Sequence, residues 1–262
     1  MKPATSIVKV CRVLGAFEER PALGVMEVAQ RAGLLPSDAH RILSSLRAFG
    51  YIERDPETRK YQLGLELLRQ GHRVLQRLEI RDLARPWLRR LAESAEATAN
   101  LAIVDPREQE VVFIEQIDSL AEVQIKLRVG ARASSHATAV GKVLCAYMPW
   151  EEARAWLKST GMPKKTARTI TELGLIEREF DRIRTRGYAV DREEAMEGAC
   201  CLGAPVRNHA GAVTAAISVS MMTQHFERWP EPKLAALVQS AAAKISAAMG
   251  FQAREARQAR AG

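Results

Sequence analysis

The hydrophobic period of this chain changes twice, and those changes constrain its fold more than any other feature. Up to about residue 50, apolar residues recur at i, i+3, i+4 and i+7, a spacing that gathers them on one face of a helix. Near Tyr51 the spacing gives way to brief alternation, the mark of a strand with one face buried. Beyond residue 100 alternation returns at greater length, interleaved with helical stretches. At roughly 100 to 200 residues per domain, a chain of 262 residues has room for two domains. The patterning therefore predicts a small helical unit followed by a larger mixed one.

In the first unit, Thr5 or Ser6 is placed to cap a helix with Ile7, Val10, Cys11, Leu14 and Phe17 inward, ended by Pro21. Gly24 opens a second helix with Val25, Val28 and Ala29 inward. Gly33 closes it, where a left-handed cap suits a residue without Cβ. Pro36 fits the first position of a third helix, Asp38 favours its positive end, and Gly50 lies near its close. Ala39, Ile42, Leu43 and Leu46 form the inward side of that helix. Ser37, Asp38, His40, Arg41, Ser44 and Arg47 are left on the rest of its circumference. Residues 51–54 and 60–63 then make two short extended runs around Asp55-Pro56-Glu57-Thr58-Arg59, a hairpin whose tip carries Arg54, Arg59 and Lys60. A helix, a turn, a helix with polar groups outward and a basic hairpin together outline a winged helix-turn-helix, in which the exposed helix enters the major groove of DNA.

A linker helix is expected over 64–79, with Leu65, Leu68, His72, Leu75 and Leu78 on one side and Arg69, Arg73 and Arg77 on a polar flank. The second domain is expected over 80–250. It opens with a helix to residue 95 that carries Leu83, Trp87, Leu88 and Leu91, with Pro86 near its start or bending it. Strands are expected at 101–104, 110–116, 122–129, 188–191, 200–206 and 212–221, and helices at 137–147, 151–159, 172–186 and 232–249. Strands and helices that do not strictly alternate predict an α+β domain with helices packed on a largely antiparallel sheet. Residues 251–262, rich in Ala, Arg and Gln, read as a flexible tail.

Several function classes find no support. No apolar run nears the roughly 18 residues of a membrane span, and the N-terminus lacks the apolar core of an export signal, so a cytoplasmic protein without a membrane partner is expected. Four cysteines, two of them the adjacent Cys200 and Cys201, offer neither a CxxC unit nor zinc-site spacing. His136, Cys145, Cys200, Cys201 and Asp191 could be imagined as nucleophile, base and orienter, which makes a small-molecule enzyme the rival from another class. However, no GxSxG, HExxH or P-loop is present, and Gly141-Lys142 lacks the upstream glycine a P-loop requires. No catalytic residue, metal or cofactor is therefore expected. The formal charge of +8 fits a polyanionic partner but also fits many proteins that bind none.

Five segments in order, Ala32-Gly-Leu-Leu-Pro-Ser-Asp-Ala-His-Arg-Ile-Leu, Lys60-Tyr-Gln-Leu-Gly64, His136-Ala-Thr-Ala-Val-Gly-Lys142, Arg186-Gly-Tyr-Ala-Val-Asp191 and Cys201-Leu-Gly-Ala-Pro-Val206, resemble IclR-type bacterial transcriptional regulators across residues 5–250. The resemblance implies a winged helix-turn-helix (residues 1–63) joined by a linker helix to a GAF-like effector-binding domain, in a homodimer or homotetramer that binds double-stranded promoter DNA. Ser37, Asp38, His40, Arg41, Ser44 and Arg47 are the expected recognition-helix contacts, with Arg59 and Lys60 on phosphate at the wing. Read alone, such polar groups could as easily coat any surface helix, and Asp38, which would repel phosphate, could serve only the helix start. On the effector side, Thr214, Ala216, Ser218 and Ser220 share one strand face, and Val213, Ala215, Ile217, Val219 and Met221 the other. The resemblance places Ser218, Ser220, Asp191 and Cys201 at ligand-contact positions. Read alone, Asp191 and Cys201 serve equally as a turn residue and a core filler. Ser134 and Ser135 precede a helix start where the N–H groups of Ala139 and Val140 could take an anion, although relatives carry smaller residues at those two positions. The implied effector is a small organic acid, either a central metabolite or an aromatic acid.

Overall fold

The structure, a computed structural model, describes residues 4–76, 78–105, 107–108, 110–118, 125 and 128–252. The chain divides into two compact units, 1–77 and 78–262.

In the first unit, α1 (Thr5–Gly15), α2 (Val25–Ala32) and α3 (Pro36–Ala48) precede an antiparallel hairpin of β1 (Ile52–Arg54) and β2 (Tyr61–Leu63), followed by α4 (Leu65–Gln76). Gly33 ends α2 with φ +63°, the left-handed geometry expected of it, and Pro36 occupies the first turn of α3. Leu23 pairs with Tyr61, adding one bridge to the hairpin and tying it to the chain ahead of α2. The core is Val13, Phe17, Leu23, Val28, Leu43 and Ile52, with Ala39 and Tyr61 closing it. Burial of each large apolar side chain there contributes roughly 1.5–3 kcal/mol.

α1 departs from expectation in two ways. It is entered through Ala4, in extended geometry, with Thr5 and Ser6 already helical and no side-chain cap. Its deepest residue is Val13, while Ile7 is 60% exposed and Cys11 is also exposed. The helix carries two apolar stripes, and α2 and α3 cover the one through Val13 and Phe17. α4 is shorter than the 64–79 expected, and Leu65 and Leu68 lie 71% and 70% exposed.

In the second unit, α5 (Glu79–Ala95) runs through Pro86. It leads into β3 (Thr98–Asp105), β4 (Glu110–Ile117) and β5 (Arg132–Ala133). Three helices follow, α6 (Ala139–Ala146), α7 (Trp150–Thr160) and α8 (Leu173–Arg186), and then β6 (Ala189–Arg192), β7 (Ala199–Arg207) and β8 (Val213–Met222). The short α9 (Thr223–Phe226) and the long α10 (Glu231–Ala248) end the described elements. The six strands form one sheet in the order β5-β4-β3-β8-β7-β6, with every neighbouring pair antiparallel. One face packs Leu101, Leu202, Ile217 and Val219 against α5 and α10. The other packs Ala102, Phe113, Ala189 and Ala216 against α6, α7 and α8. The α+β expectation holds, as three layers with the sheet in the middle.

The strand expected at 122–129 falls mostly outside the described residues, Val123 and Leu127 among those not described. Ile125 is buried, and Val129 sits in a turn that leads to Gly130. The tail after residue 252 is likewise outside the described residues. β3 begins at Thr98 rather than 101, and α6 begins at Ala139 rather than 137. Val213 does not join the Ala215 face. The β7–β8 register slips between Val206 and Arg207, and Val213 packs on the α6 side instead.

Candidate DNA interface and effector cavity

α3 presents Ser37, His40, Arg41, Ser44 and Arg47 to solvent. Asp38 is different, because it is partly buried and bonded. Lys9 on α1 donates to its Oδ2 at 2.7 Å, and Arg41 donates to its Oδ1 at 3.2 Å. The Lys9 hydrogen bond and charge hold this carboxyl below the ordinary aspartate range. Asp38 thus clamps the start of α3 onto α1 and orients Arg41. At the hairpin tip the Asp55 carboxylate accepts the N–H groups of Glu57 and Thr58, both at 2.8 Å, which fixes the turn. Arg59 follows at φ +56° and Lys60 after it, both exposed. Arg54 donates to the Arg59 carbonyl at 3.1 Å and lies over the Tyr61 ring.

In the second unit, Ala139, Val140, Asp191, Cys201, Ser218 and Ser220 line a single cavity of about 250 Å³. Strand register brings the last four together. Asp191 pairs with Cys201, Cys201 with Ser220, and Ser220 with Thr98, so one row crosses β6, β7, β8 and β3 on the α6 side of the sheet. The next row holds Gly203, Ser218 and Asn100. Phe113, Ile125 and Met196 add apolar wall, and Lys165 and Arg132, the latter ion-paired with Glu110, border the cavity.

The cavity roof is the start of α6. Thr138 caps it, its Oγ1 accepting the Gly141 N–H at 3.1 Å and donating to the Ser134 carbonyl at 2.8 Å. Among the described residues the Ala139 and Val140 N–H groups have no acceptor, as expected of a first helical turn. The loop before α6 lies so close that a Cβ at Gly141 would sit 2.3 Å from the Ser134 carbonyl oxygen. Only glycine fits there.

Asn100, which sequence reasoning missed, is fully buried. Its amide donates to Ser220 Oγ at 3.1 Å and reaches Ser218 Oγ at 3.5 Å. Cys201 Sγ also donates to Ser220 Oγ, at 3.1 Å. Ser220 therefore accepts twice, and its own proton is free for the cavity. Asn100 lies one residue before the strand expected at 101–104, and only strand pairing sets it beside Ser218. Lys142 was missed as well, though it is the one charged residue in an otherwise apolar helix. It is wholly buried, donating to Glu194 Oε1 at 2.5 Å and to the Val190 carbonyl at 2.6 Å. Asp191, 2% exposed, accepts the N–H groups of Glu194 and Ala195 on one oxygen at 2.7 and 3.3 Å. Burial pushes its carboxyl up to about 7 despite the Lys142 charge.

Of the residues of the rival enzyme reading, Asp191 and Cys201 share the cavity, while His136, Cys145 and Cys200 lie elsewhere. His136 lines an adjoining recess of about 210 Å³ and contacts the Pro163 carbonyl through Nε2 at 3.2 Å. Burial lowers its basicity. Cys145 is buried, its thiol pushed up to about 12, and burial raises the Cys201 thiol too. Among the described residues, no three His, Cys, Asp or Glu side chains gather to hold a metal ion.

Family models agree with this two-part layout. The IclR helix-turn-helix domain matches residues 6–56, and the C-terminal domain of bacterial IclR transcriptional regulators matches residues 72–247. The chain belongs to the IclR family. The HTH-type transcriptional regulator KdgR of Escherichia coli is 33% identical over 247 residues, covering 94% of this chain and 93% of the relative. XynR of the same organism is 33% identical over 249 residues, covering 95% and 98%. Among solved structures, an IclR homologue from Microbacterium hydrocarbonoxydans complexed with 4-hydroxybenzoate superposes with a TM-score of 0.81 at 27% identity, covering 94% of this chain and 99% of the other. As an IclR-family member the chain is a DNA-binding transcriptional regulator, with its helix-turn-helix in the first unit.

Proposed function

We propose that α3 and the wing bind double-stranded promoter DNA, and that a small organic acid in the cavity of the second unit modulates that binding. On DNA, Ser37, His40, Arg41, Ser44 and Arg47 meet base edges and backbone in the major groove, and Arg59 and Lys60 meet phosphate. Asp38 acts from behind, holding α3 and Arg41 in place. In the cavity, the Ala139 and Val140 N–H groups and the Lys165 charge suit a carboxylate. Ser218, Ser220, Cys201 and Asp191 suit polar groups at the other end of the ligand. The observation that carries this reading is the convergence of those six separated residues on one enclosed space, in a chain whose relative binds 4-hydroxybenzoate.

A helix-turn-helix covers one half-site, so a two-fold assembly is part of the reading, as a homodimer or homotetramer. Ile7 on α1 and Leu65 and Leu68, one turn apart on α4, are large apolar side chains exposed in the single chain, and they are the candidate contacts between copies. The protein acts in the cytoplasm and is not an enzyme. Its relatives are named regulators, its buried cysteines are thiols rather than thiolates, and no helix among the described residues is long and apolar enough to cross a membrane.

The test is calorimetry of the full chain against 4-hydroxybenzoate, benzoate, pyruvate and gluconate, with promoter affinity measured beside each. Saturable heat from one acid, together with a changed DNA affinity, is expected. No heat from any acid and constant DNA affinity refute the effector role.

A further inference from the structure

The cavity ends in a buried charge cluster that is one proton short of neutral. Lys142, from α6, is wholly buried and spends its ammonium on Glu194 Oε1 and the Val190 carbonyl. The other Glu194 oxygen is buried and unpartnered. Asp191, on β6, lines the cavity with one oxygen held by two backbone N–H groups and with no cation bonded to it. Among the described residues the remaining titratable group facing it is the Cys201 thiol of β7, since Cys200 packs on the opposite face of the sheet. Arg132 of β5 and Lys165, in the segment after α7, border the same space, but both are exposed. With Asp191 ionised that end carries one cation against two carboxylates, and an anionic effector would bring a third negative charge near a carboxyl that is itself only 2% exposed.

We infer that effector binding is coupled to uptake of one proton by Asp191, whose neutral carboxyl then donates a hydrogen bond to the bound acid. This rests on the reading of the cavity as an organic-acid site. A ligand carboxylate held at the α6 end of the same cavity raises the cost of a second buried negative charge on Asp191, whereas a neutral Asp191 carboxyl avoids that cost and can donate to a polar oxygen at the other end of the ligand. Burial already brings Asp191 to about 7 before any ligand enters, and the ligand's charge raises it further. The linkage then has a definite sign, since acid favours the complex. Affinity is flat below about pH 7 and falls roughly tenfold per pH unit above it, until Asp191 ionises in the complex as well. Ligands without an acceptor oxygen at that end gain nothing from the proton, which makes Asp191 a determinant of specificity.

The experiment is calorimetric titration of the full chain with 4-hydroxybenzoate, benzoate, pyruvate and gluconate at pH 6 and pH 8. Each titration is run in two buffers whose ionisation heats differ, phosphate and Tris at pH 8 and phosphate and Bis-Tris at pH 6. For an acid that binds, close to one proton taken up at pH 8 and close to none at pH 6 is expected. D191N should bind with no proton uptake at either pH, a result that a merely structural role for Asp191 would not produce. Binding whose heat is the same in both buffers at pH 8 overturns the coupling and leaves the effector reading standing. An absence of heat from every acid overturns the effector reading and the coupling with it.

Discussion

Replacing Asp191 by asparagine isolates the cost of its buried carboxylate. The native carboxyl is pushed up to about 7 from an ordinary value of 3.8, mainly by burial. The folded protein therefore holds a proton that the unfolded chain has already released, and stability is lost as pH rises from the unfolded value to the folded one. Between pH 5 and pH 8 the loss runs over about two pH units, until the folded carboxyl also ionises. At ~1.4 kcal/mol per pH unit, that is on the order of 2–3 kcal/mol. The amide side chain in D191N keeps an acceptor for the Glu194 and Ala195 N–H groups but cannot ionise. D191N should therefore gain on the wild type by that amount between pH 5 and pH 8, roughly 5–10 °C in the melting of the second unit. Titrating groups not coupled to Asp191 are common to both chains and drop out of the difference. Thermal melts by circular dichroism at pH 5, 6, 7 and 8 read this directly. A stability gap that does not change with pH, or one that widens towards acid, refutes the argument that Asp191 sits desolvated.

Other substitutions probe other parts of the molecule. Gly141→Ala forces a Cβ against the Ser134 carbonyl, so the loop before α6 must shift. A loss of about 1–3 kcal/mol is expected, together with weakened effector binding in calorimetry; unchanged melting would show that the loop yields freely. Leu68→Glu places a charge on the exposed apolar side of α4 and should move the protein towards monomer in sedimentation equilibrium, without changing its melting profile as a monomer. Lys9→Ala removes the clamp on Asp38 and should weaken promoter binding several-fold although Lys9 lies on α1 and not on α3; unaltered binding would make that ion pair incidental.

Much of the first unit was legible because local signals decide it. The period change at Tyr51, Gly33 in left-handed geometry and Pro36 in a first turn are all fixed by residues close in sequence. The buried side of α1 was not legible, because Ile7 and Cys11 lie on one apolar stripe and Val13 on another, and only α2 and α3 determine which is covered. In the second unit the alternation along β8 placed Ser218 and Ser220 on one side. It was strand pairing, which no local pattern contains, that set Asp191, Cys201 and Thr98 in the same row. Asn100 and Lys142 escaped because strand and helix readings weigh apolar positions. A lone polar residue in such an element reads as an outward position until the packing shows it buried and bonded.

The central claim, that α3 and the wing hold DNA, is tested most directly by the salt dependence of binding to the promoter region upstream of the chain's own gene. Fluorescence anisotropy across a salt series should give a steep negative slope of log affinity against log salt. Arg59→Ala should reduce that slope by about 0.9, the share of one phosphate contact. Promoter binding that does not respond to salt, or a slope left unchanged by Arg59→Ala and by Arg41→Ala alike, would contradict the account.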